Sequence, residues 1–282
     1  MLKIIKKLSF QVLPPSVAGN LRTWRVHQLV RSYQTRIIER TYGSGTLRVL
    51  LADPLGEGWY DHDWTDLPEI TALRKTRLLP GARVFDIGAH QGIVALMLAR
   101  EVGASGLVVA VEPNPHNASV AEENRKLNGV AQVDIVQAAV SDQQGSVVFN
   151  AGLNGQLDDG SGAGGQLSVE SVTIDSLADR FGLPDVVFMD VEGAECLALA
   201  GASEVLAASV DFFIEVHVAC GLEKLGGSVD QVLSYFPRHR FTLLARAESD
   251  AAFHSLRDDD PVMLQRFFLL ALSGRATTRC ES

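Results

Sequence analysis

The sequence predicts an α/β protein, built on a doubly wound, mostly parallel sheet of seven strands with a helical N-terminal extension. From residue 82 onward, short apolar runs alternate with segments of helical composition. This alternation is typical of a parallel sheet covered by helices on both faces. A glycine-containing turn joins the first of these runs to its helix, at the position where such sheets bind ligands. Apolar residues make up 46% of the chain, which suffices for a sizeable core.

Residues 1–45 are predicted to be a basic helical extension, and residues 46–282 the main domain. Apolar side chains at roughly helical spacing predict a helix within residues 20–40. A strand is predicted at 46–51, and a helix at 67–79 that ends before a Pro-Gly pair.

The repeating part of the chain begins at the next strand. Strands are predicted at 82–88, 107–112, 133–137, 185–191 and 210–217, with a last strand at the sheet edge over 265–271. Helices are predicted at 91–101, 115–127, 175–181 and 194–208. The glycine-rich segment 150–166 is predicted to be a mobile loop, serving either as a lid over a substrate or as a passive connection.

Charge is distributed unevenly along the chain. Residues 1–44 hold eight Lys/Arg and one Glu, a charge of +7, so the remainder carries −9 − 7 = −16. An acidic body argues against general affinity for nucleic acid. The basic segment is expected to pack on the acidic domain, and peripheral contact with a membrane surface or an acidic partner is left open.

Other features of the composition indicate a cytoplasmic protein. No run approaches the roughly 20 apolar residues of a membrane-spanning helix. The three cysteines are far apart and odd in number, which favours neither a disulfide framework nor a zinc site.

The strongest local signal is the turn that runs from Asp86 to Gly92, with the sequence DIGAHQG. Gly88 and Gly92 allow a tight turn and a close approach of the backbone to a ligand. Their G-x-x-x-G spacing differs from the dinucleotide fingerprint, and the turn lacks the lysine of a phosphate-binding loop. The turn therefore predicts a ligand that has no pyrophosphate.

S-adenosyl-L-methionine is such a ligand. Asp86 is expected to accept a hydrogen bond from its amino group, and Glu112, at the end of the next strand, to accept both ribose hydroxyls. Two carboxylates also suit the positive charge of a sulfonium. The structural alternative is a tight turn in which Glu112 caps the following helix.

Six segments of the chain resemble the FkbM-type methyltransferases, in the expected order. They are FDIGAHQG (85–92), VAVEPNPHN (109–117), AAVSD (138–142), VTIDSL (172–177), MDVEGAE (189–195) and FIEVH (213–217). The resemblance implies a class I methyltransferase sheet, with a motif core over 80–217, and usually O-methylation of a small molecule or sugar. It also implies that Asp86, Gly88 and Glu112 hold the cofactor. Asn114 would lie beside the ribose, and Ser141 and Asp142 near the adenine. His90 and Gly92 complete the predicted cofactor site.

One position departs from the family pattern. Members commonly have a lysine two places before the aspartate of the fourth-strand motif, where this chain has Phe188. The difference leaves the substrate class open.

The general base is expected among polar residues that follow the fourth and fifth strands. His217 is the predicted base because imidazole titrates near neutrality, with Glu215 orienting it or the substrate. Asp190 and Glu192 are further candidates, and His90 is another. The first four of these residues offer oxygen and nitrogen ligands acceptable to Mg²⁺ or Mn²⁺, but their spacing is no recognised metal motif, so no metal centre is predicted.

The predicted function is O-methylation of a hydroxyl on a small molecule, sugar or glycan. The alternatives are an RNA methyltransferase and a non-catalytic nucleotide-binding module of the same fold. The aromatic stretch around Trp59 and Trp64 either stacks on the acceptor or forms a small core beneath the N-terminal helix. The sequence leaves the oligomeric state open.

Overall fold

A computed structural model describes residues 24–26, 28–150, 152–157, 166–257, 260 and 263–274. Its strands are β1 (Arg36–Tyr42), β2 (Gly45–Leu51), β3 (Arg83–Ile87), β4 (Leu107–Val111), β5 (Val133–Val136), β6 (Ala139–Val140), β7 (Gly145–Asn150), β8 (Gln156–Leu157), β9 (Gln166–Val172), β10 (Val186–Met189), β11 (Asp211–Val216), β12 (Phe241–Ala247), β13 (His254–Ser255) and β14 (Phe267–Ser273). Its α-helices are α1 (Pro54–Tyr60), α2 (Pro68–Leu73), α3 (Ile93–Val102), α4 (Pro115–Leu127), α5 (Ile174–Phe181), α6 (Glu195–Ala200), α7 (Ser203–Ala207) and α8 (Val229–Ser234).

The central sheet has eight strands in the order β13-β12-β14-β11-β10-β3-β4-β5. The five strands from β11 to β5 run parallel, and β14 is antiparallel to both of its neighbours. The predicted doubly wound, mostly parallel sheet is therefore confirmed, with the two-residue strand β13 added to the expected seven.

The predicted edge position of the last strand is wrong. Strand β14 lies between β11 and β12, and β12 (Phe241–Ala247) was not identified from the sequence. Leu269, Leu270 and Ala271 are all fully buried. An internal strand is covered on both faces, so its apolar run carries no alternation that would mark an edge.

The helix predicted over 20–40 is confirmed only at its centre. Within the described residues, helix occupies 24–26 and 28–32, and β1 begins at Arg36. Strand β1 pairs antiparallel with β2 through a short turn that contains Gly43 at φ +61°. The β-branched residues Ile37, Ile38 and Thr41 favour this strand over a continued helix. The predicted extension up to residue 23 lies outside the described residues.

Helices cover both faces of the central sheet. Phe85, Ile87 and Met189 face a core completed by α5, α6 and α7, whereas Val84 and Ala110 face a second core completed by α3 and the β1–β2 hairpin. In this arrangement the carboxyl ends of β3, β4, β10 and β11 meet at one edge of the sheet. Across the described residues, no helix is long and apolar enough to cross a bilayer.

Part of the glycine-rich segment 150–166 folds over this edge. Strands β6, β9, β7 and β8 form a separate four-stranded sheet, and β8 pairs with the end of β7. The described stretch 152–157 is thus held as a hairpin rather than lying free. Residues 151 and 158–165 lie outside the described part of the chain.

Candidate active site

A cleft opens at the carboxyl ends of β3, β4 and β10, under the β7–β8 hairpin. Its lining residues are Trp59, Ile87, Gly88, His90, Val111, Glu112, Pro113, Asn117, Ala138, Ala139, Val140, Phe149, Asn154, Gly155, Leu157, Asp190, Val191, Glu192 and Ala194. The wall is mainly apolar and carries three carboxylates, with no Lys or Arg among these lining residues. Such a site suits an amphipathic ligand that bears positive charge.

The turn after β3 forms the floor of the cleft and requires glycine. Gly88 has φ +89°, and a Cβ at this position would lie 1.7 Å from the carbonyl oxygen of Asp190. Gly92 has φ +79° and caps the N-terminus of α3, packed against Ala121. The motif glycines therefore allow β3 and β10 to end in close contact.

Glu112, at the end of β4, is fixed beside this turn. Its Oε2 accepts a hydrogen bond from the His90 amide at 2.9 Å, and its Oε1 accepts one from the Asn114 amide at 2.8 Å. Burial raises the pKa of Glu112 to about 7 although these hydrogen bonds lower it. Each carboxylate oxygen keeps a further lone pair for a ligand hydroxyl.

Asp86 is buried and lacks a compensating partner. It is 3% exposed, and its Oδ2 has no hydrogen bond in the described structure. Burial, reinforced by the charge of Glu112, raises the pKa of Asp86 to about 7. Asp86 pairs in register with Phe188, whose ring packs 4.2 Å from that of Phe213. Where the family commonly has a lysine, this chain thus places a core aromatic beside the aspartate.

Of the predicted cofactor residues, Gly88, His90 and Glu112 line the cleft, whereas the others, Asp86 and Gly92 among them, lie outside its lining. Asn114 caps α4, accepting from the His116 amide and donating through Nδ2 to the Gly152 carbonyl. The Ser141 hydroxyl donates to Asp142 Oδ1 at 3.0 Å. The residues just before this pair, 138–140, form the apolar wall instead.

His90 lines the cleft with an aromatic neighbourhood. Its Nδ1 lies 2.7 Å from the Tyr60 hydroxyl, and its ring centroid lies 4.9 Å from that of Trp59. Burial lowers the pKa of His90 to about 4, so the imidazole is neutral at pH 7. Trp59 is 37% exposed and lines the cleft, whereas Tyr60 is buried and packs on Trp64. Trp59 is therefore accessible from the cleft, where stacking on the acceptor stays a prediction, whereas Tyr60 belongs to a core against which Trp64 packs.

A second group of acids surrounds His217 at the ends of β10 and β11. His217 Nε2 lies 3.5 Å from Asp190 Oδ1, 3.5 Å from Glu192 Oε2 and 3.6 Å from Glu215 Oε1. On the other side of the ring, Nδ1 lies 2.6 Å from Glu195 Oε1. These five residues form the histidine–carboxylate cluster. Asp190 and Glu192 of the cluster line the cleft, while His217 and Glu215 lie behind them.

The partners of His217 differ from those expected. Glu195, which is fully buried, orients the ring through Nδ1, whereas Glu215 forms an ion pair with Arg266 at 2.9 Å. Burial lowers the pKa of His217, but the hydrogen bond that the ring donates to Glu195 and the charges of the surrounding carboxylates outweigh burial and raise the pKa to about 9. In the free protein the imidazole therefore keeps its proton at neutral pH, which disfavours the predicted role as general base.

Glu192 is held by residues that the sequence analysis did not single out. Its Oε1 accepts from Asn154 Nδ2 at 2.7 Å and its Oε2 from Gln156 Nε2 at 3.3 Å. Its backbone has φ +52°, unusual for a residue other than glycine. The strained residue links the hairpin to the cluster. Glu195 belongs to the quoted MDVEGAE segment, but the contacts of the hairpin left no signal in the sequence.

The cleft fits S-adenosylmethionine on three counts. Glu112 lines the cleft with a raised pKa, so it is a carboxylate whose charge a cationic ligand would balance and whose free lone pairs the ligand's hydroxyls would fill. The backbone of Gly88 itself lines the cleft. The apolar wall at Ala138 and Val140 suits a flat purine ring.

Fold and site together define a class I methyltransferase domain. The family model "Methyltransferase FkbM domain" matches residues 86–243, so the chain belongs to the FkbM methyltransferase family. Its cofactor is S-adenosylmethionine.

Individual relatives match over shorter stretches. The chain is 27% identical over 103 residues to ribosomal protein L11 methyltransferase of Myxococcus xanthus, covering 36% of this chain and 35% of that protein. It is 47% identical over 47 residues to tRNA (adenine(58)-N(1))-methyltransferase TrmI of Thermus thermophilus, covering 17% of this chain and 18% of that protein. It thus spans about a third or less of the length of these curated relatives. Among solved structures, a methyltransferase FkbM from Methylobacillus flagellatus KT superposes with TM-score 0.43 and 17% identity, over 67% of this chain and 43% of that chain.

Proposed function

We propose that this protein transfers a methyl group from S-adenosylmethionine to a hydroxyl oxygen of a small molecule, sugar or glycan. The observation that supports this proposal best is the position of Asp190. It follows β10, lines the cleft beside Gly88, and has a buried Oδ1 with no hydrogen-bond partner in the described structure. A carboxylate at this point is suited to receive the proton of an acceptor hydroxyl.

The chemistry requires such a base. A new C–O bond forms as the S–CH₃ bond breaks, the electron pair of that bond stays on sulfur, and the hydroxyl proton leaves to Asp190. Although 43% of the Asp190 side chain is exposed to the cleft, burial of the rest and the charge of Glu215 raise its pKa well above the ordinary value. A carboxylate of raised pKa is a stronger base. Alignment of the oxygen with the methyl group supplies much of the remaining rate enhancement.

The charge of the cleft favours an uncharged acceptor over RNA. Its lining carries the carboxylates of Glu112, Asp190 and Glu192 and lacks Lys or Arg, and the chain outside residues 1–44 carries −16. A polyanion would be repelled from such a surface. Trp59, 37% exposed at the cleft, offers an indole face of the kind on which sugar rings stack.

The test combines calorimetry with transfer of a labelled methyl group. Wild-type protein is expected to bind S-adenosylmethionine and to label a hydroxyl in a panel of sugars, glycans and phenols. Asp190→Asn is expected to lower kcat at least 100-fold while the Kd for the donor stays within threefold. Asp179→Asn, on the exposed face of α5, is the matched control and should match wild type.

Two results would contradict the proposal. One is failure of the folded protein to bind the donor. The other is labelling confined to RNA, which the acidic cleft is expected to repel, or to nitrogen atoms of the acceptors, whose methylation removes no hydroxyl proton.

A further inference from the structure

We propose that Asp190, Glu192 and His217 bind one divalent cation at the acceptor end of the cleft, with Mn²⁺ as the best-matched ion. The use of this cation in methyl transfer rests on the proposed function: Asp190 would bind the ion through Oδ1 and receive the proton on its other oxygen, while the acceptor hydroxyl would take an open position of the ion. Binding of the ion itself does not rest on that function.

The distances within the histidine–carboxylate cluster suit a shared ion better than direct hydrogen bonds. His217 Nε2 lies 3.5 Å from both Asp190 Oδ1 and Glu192 Oε2, and the three donor atoms all lie within 4.8 Å of one another. Hydrogen bonds between nitrogen and oxygen cluster at 2.7–3.2 Å. If an ion lay about 2.1 Å from each of two donors that are 3.5 Å apart, the donor–ion–donor angle would be roughly 110°, which is ordinary for metal ligands.

His217 supplies a second observation, independent of the acidic cluster. It is 2% exposed, and its Nε2 is buried without a hydrogen-bond partner in the described structure. Glu195 holds Nδ1 at 2.6 Å, which turns Nε2 towards Asp190 and Glu192. A carboxylate that fixes one ring nitrogen while the other faces an ion is the usual arrangement of metal-binding histidines.

In the metal-free protein the imidazole is protonated, and Mn²⁺ would displace the Nε2 proton on binding. A protonated Nε2 that formed a close ion pair with the acids would draw at least one carboxylate to about 2.8 Å. None of the three oxygens facing Nε2 lies within 3.4 Å, and Asp190 Oδ1 is itself buried and unpartnered. The Glu192 carboxylate is held beside this point by hydrogen bonds from Asn154 and Gln156.

The chemistry of the donors selects the ion. Two carboxylate oxygens and one imidazole nitrogen suit Mn²⁺, because carboxylates favour hard divalent ions and imidazole favours transition metals. Glu215 is not counted as a ligand because Arg266 already neutralises it at 2.9 Å. Three protein ligands leave positions open for water or the acceptor hydroxyl, whose pKa a bound cation lowers.

The experiment measures Mn²⁺ binding directly, without donor or acceptor. Chelator-treated protein is titrated with Mn²⁺ and followed by calorimetry and by the EPR signal of the free ion. One site per chain is expected. Glu192→Gln should weaken it at least 30-fold, and Glu195→Gln by roughly 10- to 100-fold because the imidazole loses its orienting charge. Glu204→Gln, an exposed change on α7, should leave binding unchanged.

A second measurement on wild-type protein guards against variants that fail to fold. Mn²⁺ is expected to broaden the imidazole resonances of His217 beyond detection at one equivalent. The proposal is overturned if those resonances stay sharp, if no site is found up to millimolar Mn²⁺, or if folded Glu192→Gln binds as wild type does.

The outcomes also separate this site from the proposed function. If chelated protein binds S-adenosylmethionine and methylates hydroxyls but no Mn²⁺ site exists, the cation site fails and the function stands. If Mn²⁺ binds at His217 and the donor does not bind, the function fails and the cation site stands.

Discussion

The two acidic ends of the cleft are built in different ways. At the end proposed to hold the donor, Glu112 follows β4 and is fixed by backbone amides of its own and the adjoining turn, and Asp86 lies buried within the neighbouring strand β3. At the acceptor end, Asp190 and Glu192 converge with His217 through side chains drawn from separate parts of the chain. The local backbone therefore builds the donor end, whereas the acceptor end forms only when distant parts of the chain pack together.

The two ends also differ in whether their buried carboxylates have a positively charged neighbour. At the donor end, burial without a cation raises the pKa of both carboxyl groups to about 7, which marks places that a positively charged ligand would fill. At the acceptor end an imidazole stands among the acids and its pKa is about 9. Changes at the donor end should therefore act on the turn and donor affinity, and changes at the acceptor end on acceptor chemistry.

The largest effect is expected from Gly88→Ala, which breaks the contact between the two ends. The new Cβ would lie 1.7 Å from the Asp190 carbonyl oxygen, at a φ of +89° that alanine rarely adopts. We expect a loss of about 3 kcal/mol or more in the free energy of unfolding, and no detectable donor binding. Urea denaturation and calorimetry measure both.

Gly58→Ala is the matched control for this change. A Cβ at Gly58 would meet nothing within 4 Å, so its stability should stay within about 1 kcal/mol of wild type. Equal losses in the two variants would show that the Gly88 contact is not what limits substitution.

Glu112→Gln should weaken donor binding about 100-fold while leaving Mn²⁺ affinity unchanged. The amide keeps the shape of the side chain but removes the charge that would accept the two ribose hydroxyls, and a charged hydrogen bond contributes about 1.5–3 kcal/mol. Calorimetry with S-adenosylmethionine measures the change. Glu122→Gln, on the outer side of α4, should bind as wild type does; a Glu112→Gln protein of unchanged affinity would place the ribose elsewhere.

The positions of the glycine turn and of the strand-end acid Glu112 could be predicted from the sequence because each is a local pattern, whereas their role in holding the donor stays a prediction. The turn from Asp86 to Gly92 and the acid after the second strand are each local patterns with a known place in a parallel sheet. Asn114, Ser141 and Asp142 were inferred from a resemblance alone and lie outside the lining of the cleft, as do Asp86 and Gly92, which were inferred from the turn. The sequence thus predicts the order and direction of the strands but not which side chains reach the cleft.

The acceptor end was predicted only as a set of candidates. His217, Glu215 and Asp190 do come together, but the choice of Glu195 as ring partner depends on how α6 begins, and that of Arg266 on where β14 inserts. The sequence carries no periodic signal for either. The same insertion explains why the last strand was misplaced at the edge.

Donor affinity should depend on pH through the two carboxyl groups at the donor end. The pKa of Asp86 and of Glu112 is raised to about 7, so both must lose protons to meet a cation, and affinity should fall about tenfold or more from pH 8 to pH 6. The stability of the donor-free protein should change in the opposite direction to donor affinity. The pKa of each of these acids is higher in the folded than in the unfolded protein, so their burial lowers the free energy of unfolding. This loss is absent below about pH 4 and grows as pH rises to 7.

Calorimetry at several pH values and urea denaturation with and without donor check both trends. Glu112→Gln should flatten part of each curve, since one of the two titrating groups is gone. A donor affinity that is constant from pH 6 to pH 8 would mean that neither carboxylate changes its protonation when the donor binds.

The smallest expected effect tests the acceptor end through stability. The pKa of His217 is raised to about 9, so the protonated ring contributes to the free energy of unfolding. This contribution is fully present below the unfolded pKa of about 6.5 and is lost as pH rises through 9. Glu195→Gln removes the buried charge beside Nδ1, which lowers this pKa and shrinks the loss between pH 6.5 and pH 9 by about 1–2 kcal/mol. Urea denaturation of wild type, Glu195→Gln and the exposed control Glu204→Gln at pH 6, 7.5 and 9 measures it. Parallel pH profiles for wild type and Glu195→Gln would show that Glu195 positions the ring without setting its charge, and would leave the contrast between the two ends as one of geometry alone.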